Sequence, residues 1–523
     1  MDDLELDAVG YKREMPRQFS PWSLGSLAFT LTCTWLGTGS SLGIALTESS
    51  SAGALWSLPI AGCMTLIVAS GMAELASAYP VAGAQYYWAY MVAGDGYKCV
   101  AAFMNAWVAI IGWWLGSASV SNFISSMILE IASIWYPDYE LQHWQQYLIY
   151  IALIWLAVAI NTFTSQWIPL FNKLIFTLSV TTLTATMLCL FIVARNHHAS
   201  AEWIFTDTTN RTGWPSDGFA FMLAVGNAVF AYLGSDCGAH LCEEIPNPGK
   251  NVPRVILYPL VMGLLTTFPF TCSLMYSITD LQAVLNTPTG IPLLEIYLQD
   301  TGSKVAASIL LAVFAFCFFG CLTASATTCS RTIWAVSRDG VLPWSGIWMR
   351  VHPTFKMPAN AMLLSGTFMS AYGAIFLGST TAFSAMVSAA IVFQQTSCII
   401  PQAILLYRGR DRILPERYFN LGRFGPYINA TAVAWVVYLD VLYCFPTALP
   451  VTPQNMSFVS VVSVGLVGFV VALWFTTKRK TFKGPRIDYE LLKARREAAI
   501  HSNLEGLEID EVESTHVEEK MKC

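Results

Sequence analysis

The chain has 523 residues, of which 55% are hydrophobic and only 12% charged, against roughly 25% charged in an ordinary soluble domain. Water could not solvate such a surface, and the net charge of −5 is diluted over a long chain and concentrated in the tails, so neither a soluble enzyme nor a nucleic-acid partner is indicated. Apolar stretches of about 20 residues recur almost from end to end, which makes an all-α polytopic membrane protein with the lipid bilayer as its solvent.

In chain order, Met1 to Gln18 is polar and mixed in charge, with no short apolar core followed by a small-residue cleavage site. It is read as a cytoplasmic tail (1–18), and the first span serves as the insertion signal. The transmembrane domain occupies 19–477, with twelve spans expected near 23–46, 54–78, 98–129, 146–163, 174–194, 219–241, 255–278, 305–330, 359–378, 382–406, 427–447 and 455–475. The ninth and tenth runs are separated only by Gly378-Ser379-Thr380-Thr381, but together they are too long for a single crossing. A second tail (478–523) opens with Lys478-Arg479-Lys480 and ends acidic through Glu511, Glu513, Glu518 and Glu519.

Lys and Arg resist translocation and stay on the cytoplasmic side. With the N-terminus inside, that side holds 26 of the 29 basic residues, and the opposite side holds Arg195, Arg211 and Lys304. Both termini are therefore expected in the cytoplasm. The long loop 195–218 then faces outward, where Asn210-Arg211-Thr212 forms an acceptor sequon for N-glycosylation.

Two spans carry residues that a membrane helix normally avoids. The first contains Trp35-Leu36-Gly37-Thr38-Gly39-Ser40-Ser41-Leu42-Gly43, with three glycines and three hydroxyls near mid-membrane. Glycine and serine also serve close helix packing, but an unwound binding stretch is the sharper reading. The sixth contains Phe230-Ala231-Tyr232-Leu233-Gly234-Ser235-Asp236-Cys237-Gly238, which adds a carboxylate costing about 2.5–3.5 kcal/mol to insert at a helix centre. Paired interruptions five spans apart are the mark of an inverted-repeat transporter with its site between the broken helices. Half-helix N-termini would offer amides to a carboxylate, while freed carbonyls and Asp236 would suit an ammonium.

Four segments resemble the amino acid–polyamine–organocation (APC) superfamily, and in particular its fungal branch of choline, GABA and amino acid permeases. Glu74-Leu75-Ala76-Ser77-Ala78-Tyr79-Pro80-Val81-Ala82-Gly83-Ala84-Gln85-Tyr86-Tyr87-Trp88 is similar to the second-span signature. Gly234-Ser235-Asp236 through His240, Glu243-Glu244 and Asn247-Pro248-Gly249-Lys250-Asn251-Val252-Pro253-Arg254 resembles the sixth span and the loop after it. Ser330-Arg331 with Ser337-Arg338-Asp339-Gly340-Val341-Leu342-Pro343 resembles the loop after the eighth. The resemblance covers about 19–477. It implies two inverted five-helix repeats plus two extra helices, and secondary active transport of a small amine or amino acid, with protons as the coupling ion.

Carried over residue by residue, the resemblance gives a first-span site at Gly37, Thr38 and Gly39 and a sixth-span site at Gly234, Ser235 and Asp236. Phe230 matches a substrate-covering aromatic, with Trp35 and Tyr232 nearby, and an aromatic cage would hold a quaternary ammonium at about 0.5–2 kcal/mol per ring. Trp113 and Trp114 are possible pocket walls, but neighbours on a helix point about 100° apart, so at most one of them is expected to reach the site. Glu74 has a structural or gating role by resemblance. Lys173 resembles a lysine that stands in for a coupling sodium in some members, although snorkelling to the interface explains its position as well. Asp440, in the eleventh span, has no assigned role.

Thirteen cysteines, mostly inside apolar runs, show no metal or redox spacing, and no nucleophile–base pair or phosphate loop is present. No enzyme activity, metal or cofactor is expected. A nutrient sensor with the same fold remains open beside the transporter, and the sequence sets no oligomeric state.

Overall fold

In hydrocarbon an unpaired backbone N–H or C=O costs several kcal/mol, so a chain this apolar must close its hydrogen bonds within helices. The computed structural model describes residue 11 and residues 14–485 apart from 137, 139, 288–290, 379 and 454. These form helices and loops with no strand among the described residues. The acidic end of the C-terminal tail lies outside them.

The first span is α1 (Pro21–Thr32) followed by the opening half of α2 (Thr34–Ala78). A proline at the first turn and a reciprocal Ser20/Ser23 capping box start α1, satisfying donors that the helix itself cannot. Helix α2 turns back on itself at Ser49 and Ser50, whose φ/ψ angles of −153°/34° and 50°/−156° are not helical, and so holds two crossings. A short buried α3 (Gln85–Val92) precedes α4 (Lys98–Trp135), α5 (His143–Phe163) and α6 (Ile168–Val193). After a small loop helix α7 (Ala201–Thr206), the sixth span runs as α8 (Asp217–Val229), a 3₁₀ turn over Phe230–Tyr232 and α9 (Cys237–His240).

The remainder is α10 (Pro248–Ser277), the short α11 (Leu281–Leu285) and α12 (Leu293–Thr301), α13 (Lys304–Arg338), α14 (Ser345–Trp348), α15 (Ala359–Gly373), α16 (Ile375–Gly378), α17 (Thr380–Arg408), α18 (Gly425–Leu442) and α19 (Val459–Leu473). Ten stretches among the described residues are long and apolar enough to span a membrane. One of them, Pro21–Ala78, is the doubled-back pair, and α18 completes the twelve crossings. Helix α2 packs on α8 and α10, and α4 on α13 and α17, so the two interrupted spans sit inside the bundle.

The first interruption is displaced from the expected position. It falls at Cys33, which takes the left-handed conformation (φ 42°, ψ 43°), and Gly37-Thr38-Gly39 continue as helix. The hydroxyls there bond back along their own helix: Thr38 Oγ1 donates to the Thr34 carbonyl at 2.9 Å, and Ser40 and Ser41 to that of Gly37 at 2.9 and 3.0 Å. The glycines are spent on close approach. A Cβ on Gly37 would lie 2.8 Å from Ala231 Cα, and one on Gly39 would lie 2.6 Å from Leu293 Cδ1 and 2.8 Å from Phe314 Cζ.

Charged side chains gather at one end of the bundle. Buried Glu74 accepts from Arg410 (2.5 Å), from Arg417 (2.6 and 2.8 Å) and from the Leu421 amide (3.0 Å), tying α2 to the segment after α17. Glu243 takes both guanidinium arms of Arg338 at 2.6 and 3.0 Å, and Glu244 takes Arg331 at 2.9 Å. Arg338 is sandwiched 4.1 Å from the Tyr11 and Trp334 rings. Tyr11 donates to Asp339 at 2.6 Å, which fastens the N-terminal segment to the end of α13. At the other end, Arg211 N donates to the Thr47 carbonyl at 3.1 Å and Ser50 Oγ to Asp207 at 2.5 Å, so the 195–218 loop covers the turn between the first two crossings.

Removing one partner of a buried ion pair leaves the other uncompensated, so Glu74→Ala is expected to destabilise the protein by about 3–5 kcal/mol, read as a lower thermal midpoint in detergent. Tags at both termini are expected to be protected from protease in sealed cells, while a tag inserted in 208–213 is cut. Cleavage of a terminal tag from outside would reverse that orientation.

Candidate functional site

The two interruptions meet. Gly234 has a φ of +78°, a conformation open to glycine, and a Cβ there would collide with Leu31 of α1; Gly37 touches Ala231 in the 3₁₀ turn. Leu233 beside it is extended (φ −67°, ψ 159°), and Asp236 precedes the four-residue α9. The freed backbone is partly satisfied from α13, whose Cys321 thiol donates to the Leu31 carbonyl at 3.1 Å. Across the gap, α2 begins at Cys33 with no side-chain cap, so its first-turn amides have no partner within the helix and present the positive end of its dipole.

Between the breaks lies a small cavity of about 40 Å³. Leu31, Thr32, Cys33 and Gly37 form its first-span wall, Phe230, Leu233 and Gly234 its sixth-span wall. Trp113, Gly116 and Val120 of α4, Phe318, Cys321 and Ser325 of α13, and Gln394 of α17 close it. Phe230 is buried and tilted against Phe123 (centroids 5.4 Å apart), which in turn stacks on Phe318 (6.4 Å). The lining is mainly apolar and aromatic, with a few convergent polar groups, as small-molecule sites are.

Asp236 is buried directly behind this wall and receives four polar groups from four elements. Gln85 Nε2 of α3 donates to Oδ2 at 2.5 Å, Trp113 Nε1 of α4 to Oδ2 at 3.2 Å, and Gln394 Nε2 of α17 to Oδ1 at 3.3 Å. His240 Nε2, one turn along, lies 3.2 Å from Oδ2. Trp113 and Gln394 therefore face the cavity with one surface and hold the carboxylate with another.

Of the residues expected at the site, Gly37, Phe230 and Gly234 line the cavity, and Asp236 stands behind it. Trp35, Thr38, Gly39, Tyr232 and Ser235 are not in its lining. Trp35 is packed edge-on between Phe270 and Phe314 (5.3 and 5.0 Å) and donates to Ser179 at 2.9 Å, while Tyr232 donates to the Leu58 carbonyl of α2 at 3.1 Å. Trp113 faces the cavity, and Trp114 turns away to stack on Phe368 at 4.1 Å. Glu74 sits in the charge cluster described above, far along α2. Lys173 is partly exposed on α6 and forms no ion pair among the described residues. Asp440 accepts from Thr396 of α17 at 3.0 Å.

Asn210 is half-buried; its Nδ2 donates to the Trp214 carbonyl at 2.8 Å, and its Oδ1 accepts from Thr212. Gln85, Gln394 and Phe318 were not singled out by the sequence. Gln394 is an amide inside an apolar span, and an amide in hydrocarbon without a nearby partner in sequence is the signal that could have flagged it, whereas Gln85 lies between spans and carries no such signal.

A sequence profile of the amino acid permease family matches residues 19–469, and the chain belongs to that family, within the amino acid–polyamine–organocation superfamily. It is similar to the choline transporter of Saccharomyces cerevisiae, with 30% identity covering 96% of this chain and 88% of that one. It is also similar to amino-acid permease BAT1 of Arabidopsis thaliana (28% identity, 92% and 96% covered) and to amino-acid permease 2 of Neurospora crassa (28%, 92% and 89%).

Because a Cβ on Gly37 meets backbone rather than a movable side-chain tip, Gly37→Val is expected to abolish uptake while the protein still reaches the membrane. Gly39→Leu should instead act through packing against Leu293 and Phe314, with an overpacking cost of about 1–3 kcal/mol seen in thermal stability. Normal uptake by Gly37→Val would separate the cavity from the transport path.

Proposed function

We propose that this protein is a secondary active permease for a small nitrogenous metabolite, an amino acid or an onium amine such as choline, coupled to protons and working by alternating access about the two interrupted spans. The carrying observation is the cavity between the breaks, with Phe230, Phe318 and Trp113 on its walls and a buried carboxylate behind it. The aromatic faces suit a quaternary ammonium by cation–π attraction, and the uncapped start of α2 suits a substrate carboxylate. Both chemistries occur in the names of similar proteins. At about 40 Å³ the cavity is smaller than either substrate, so loading requires its walls to part.

Asp236 suits proton exchange better than direct substrate contact, because its oxygens are already occupied by four polar neighbours and it is absent from the cavity lining. The excess of basic residues on one side supports a multi-pass membrane protein with both tails cytoplasmic, and Asn210 as an outward glycan site.

Uptake of a panel of labelled amines and amino acids into vesicles reconstituted with the purified protein tests this reading, and binding without net flux would identify a sensor instead. In the same vesicles, Asp236→Asn is expected to keep exchange of substrate across the membrane while losing accumulation against a gradient. A fall in binding affinity would assign Asp236 to ammonium recognition, and near-normal accumulation would leave it only a structural role as acceptor for Gln85, Trp113 and Gln394.

A further inference from the structure

His240 and Asp236 face each other in an arrangement that a neutral histidine and a charged aspartate cannot satisfy. His240 is wholly buried, and its Nδ1 lies 3.2 Å from the Ala82 carbonyl in the loop between α2 and α3. A carbonyl only accepts, so Nδ1 must carry a hydrogen. A neutral imidazole would then present the lone pair of Nε2 to Asp236 Oδ2, 3.2 Å away, and two acceptors would oppose each other in a dry interior. One additional proton resolves the conflict. Oδ2 already accepts from Trp113 Nε1, which can only donate, and from Gln85, and these bonds favour the ionised carboxylate as acceptor, with the extra proton on His240.

We infer that Asp236 and His240 together form the proton-binding site that couples this permease to a proton gradient, with His240 as the group that carries the proton. The inference rests on the transport reading above and names the site of its coupling ion. When loaded, His240 is an imidazolium with N–H on both nitrogens, paired with the Asp236 carboxylate. On release the Nε2–H bond breaks, the proton passes to water admitted as the span opens, and its electron pair remains on Nε2. The unloaded pair then repels in its present geometry, so α9 must move relative to its surroundings. Proton loss and rearrangement of the sixth-span break are thereby the same event.

The surroundings do not supply another charge to compete. Helix α17 contributes the Cys398 thiol, which shares Gln85 with Asp236, and α9 and α13 contribute the Cys237 and Cys321 thiols. Helices α1 and α3 contain no charged residue; α4 carries Lys98, paired with Asp95, and Glu130 near its other end. Helix α10 presents Val255 to this segment, its Arg254 being exposed. The nearest ions, Glu243–Arg338 and Glu244–Arg331, compensate each other. Glu243 also accepts from Ala82 N at 3.2 Å, so the residue whose carbonyl orients His240 is itself anchored to the charge cluster at the end of α13. His240 thus reports to that end through one short loop.

The test uses reconstituted full-length protein and the substrate found by the panel. In His240→Gln the amide can donate to Asp236 but cannot titrate, so exchange is expected to persist while accumulation driven by a pH gradient is lost and the pH dependence of exchange flattens. Accumulation by this variant with the parent's pH profile would overturn the inference, whereas failure of the parent to exchange any substrate would instead sink the transport reading. Nitrogen NMR of the parent labelled at histidine provides a measurement that does not depend on a variant folding. Among the seven histidines, one buried imidazolium with both nitrogens protonated is expected. It should disappear in His240→Gln and become neutral in Asp236→Asn. A neutral imidazole at position 240 in the parent would refute the assignment.

Discussion

The architecture depends on the requirement that every backbone polar group inside the bilayer find a partner within the protein. Ten spans meet it by remaining helical, and two do not, at Cys33 and at Leu233–Asp236. A broken backbone is tolerable only where protein or a cavity surrounds it, and here the breaks surround each other: Leu31 sits against Gly234, and Gly37 against Ala231. The Cys321 thiol closes one carbonyl from outside the pair. The cavity lies between the two breaks and is walled on two sides by their residues.

Around this gap the protein has built a polar node rather than an open charge. A carboxylate alone in hydrocarbon would neutralise or recruit water, but Asp236 is held by an indole, two amides and an imidazole from four different elements. Each holding element also has another task. Trp113 and Gln394 are cavity wall, and His240 reaches the loop after the second crossing. A change in the node's protonation or in the cavity's occupant consequently bears on the same few side chains, which is the physical requirement for coupling two ligands.

The charge clusters at one end of the bundle have a different character. Glu74 with Arg410 and Arg417, and Glu243 and Glu244 with Arg338 and Arg331, cross-link segments 87 to 343 residues apart and are nearly inaccessible to water. Buried pairs of this kind contribute little net stability relative to apolar packing, but they strongly penalise partial separation. They hold the second crossing against the loop after α17, and the loop after the sixth span against the end of α13.

Hydropathy and the distribution of Lys and Arg are summed along the chain, and they determined the membrane class, the twelve crossings and the separation of a basic end from the 195–218 loop. The sixth-span break was legible for a similar reason: Gly234 supplies the left-handed φ locally, and Asp236 has no cause to be in a helix centre without a partner. The first-span break was not, because Cys33 carries no local signal, and the glycines that suggested unwinding at 37–39 serve close packing, a use for which sequence offers the same residues. Trp35 and Tyr232 were equally ambiguous, since in a chain with 18 Trp and 21 Tyr an aromatic's place is set by what it packs on. The composition of the Asp236 node was decided only in three dimensions. Gln85, Trp113 and Gln394 lie 151, 123 and 158 residues from it, and no periodicity or propensity, which act over a few turns, can bring such residues to one carboxylate before the helices pack.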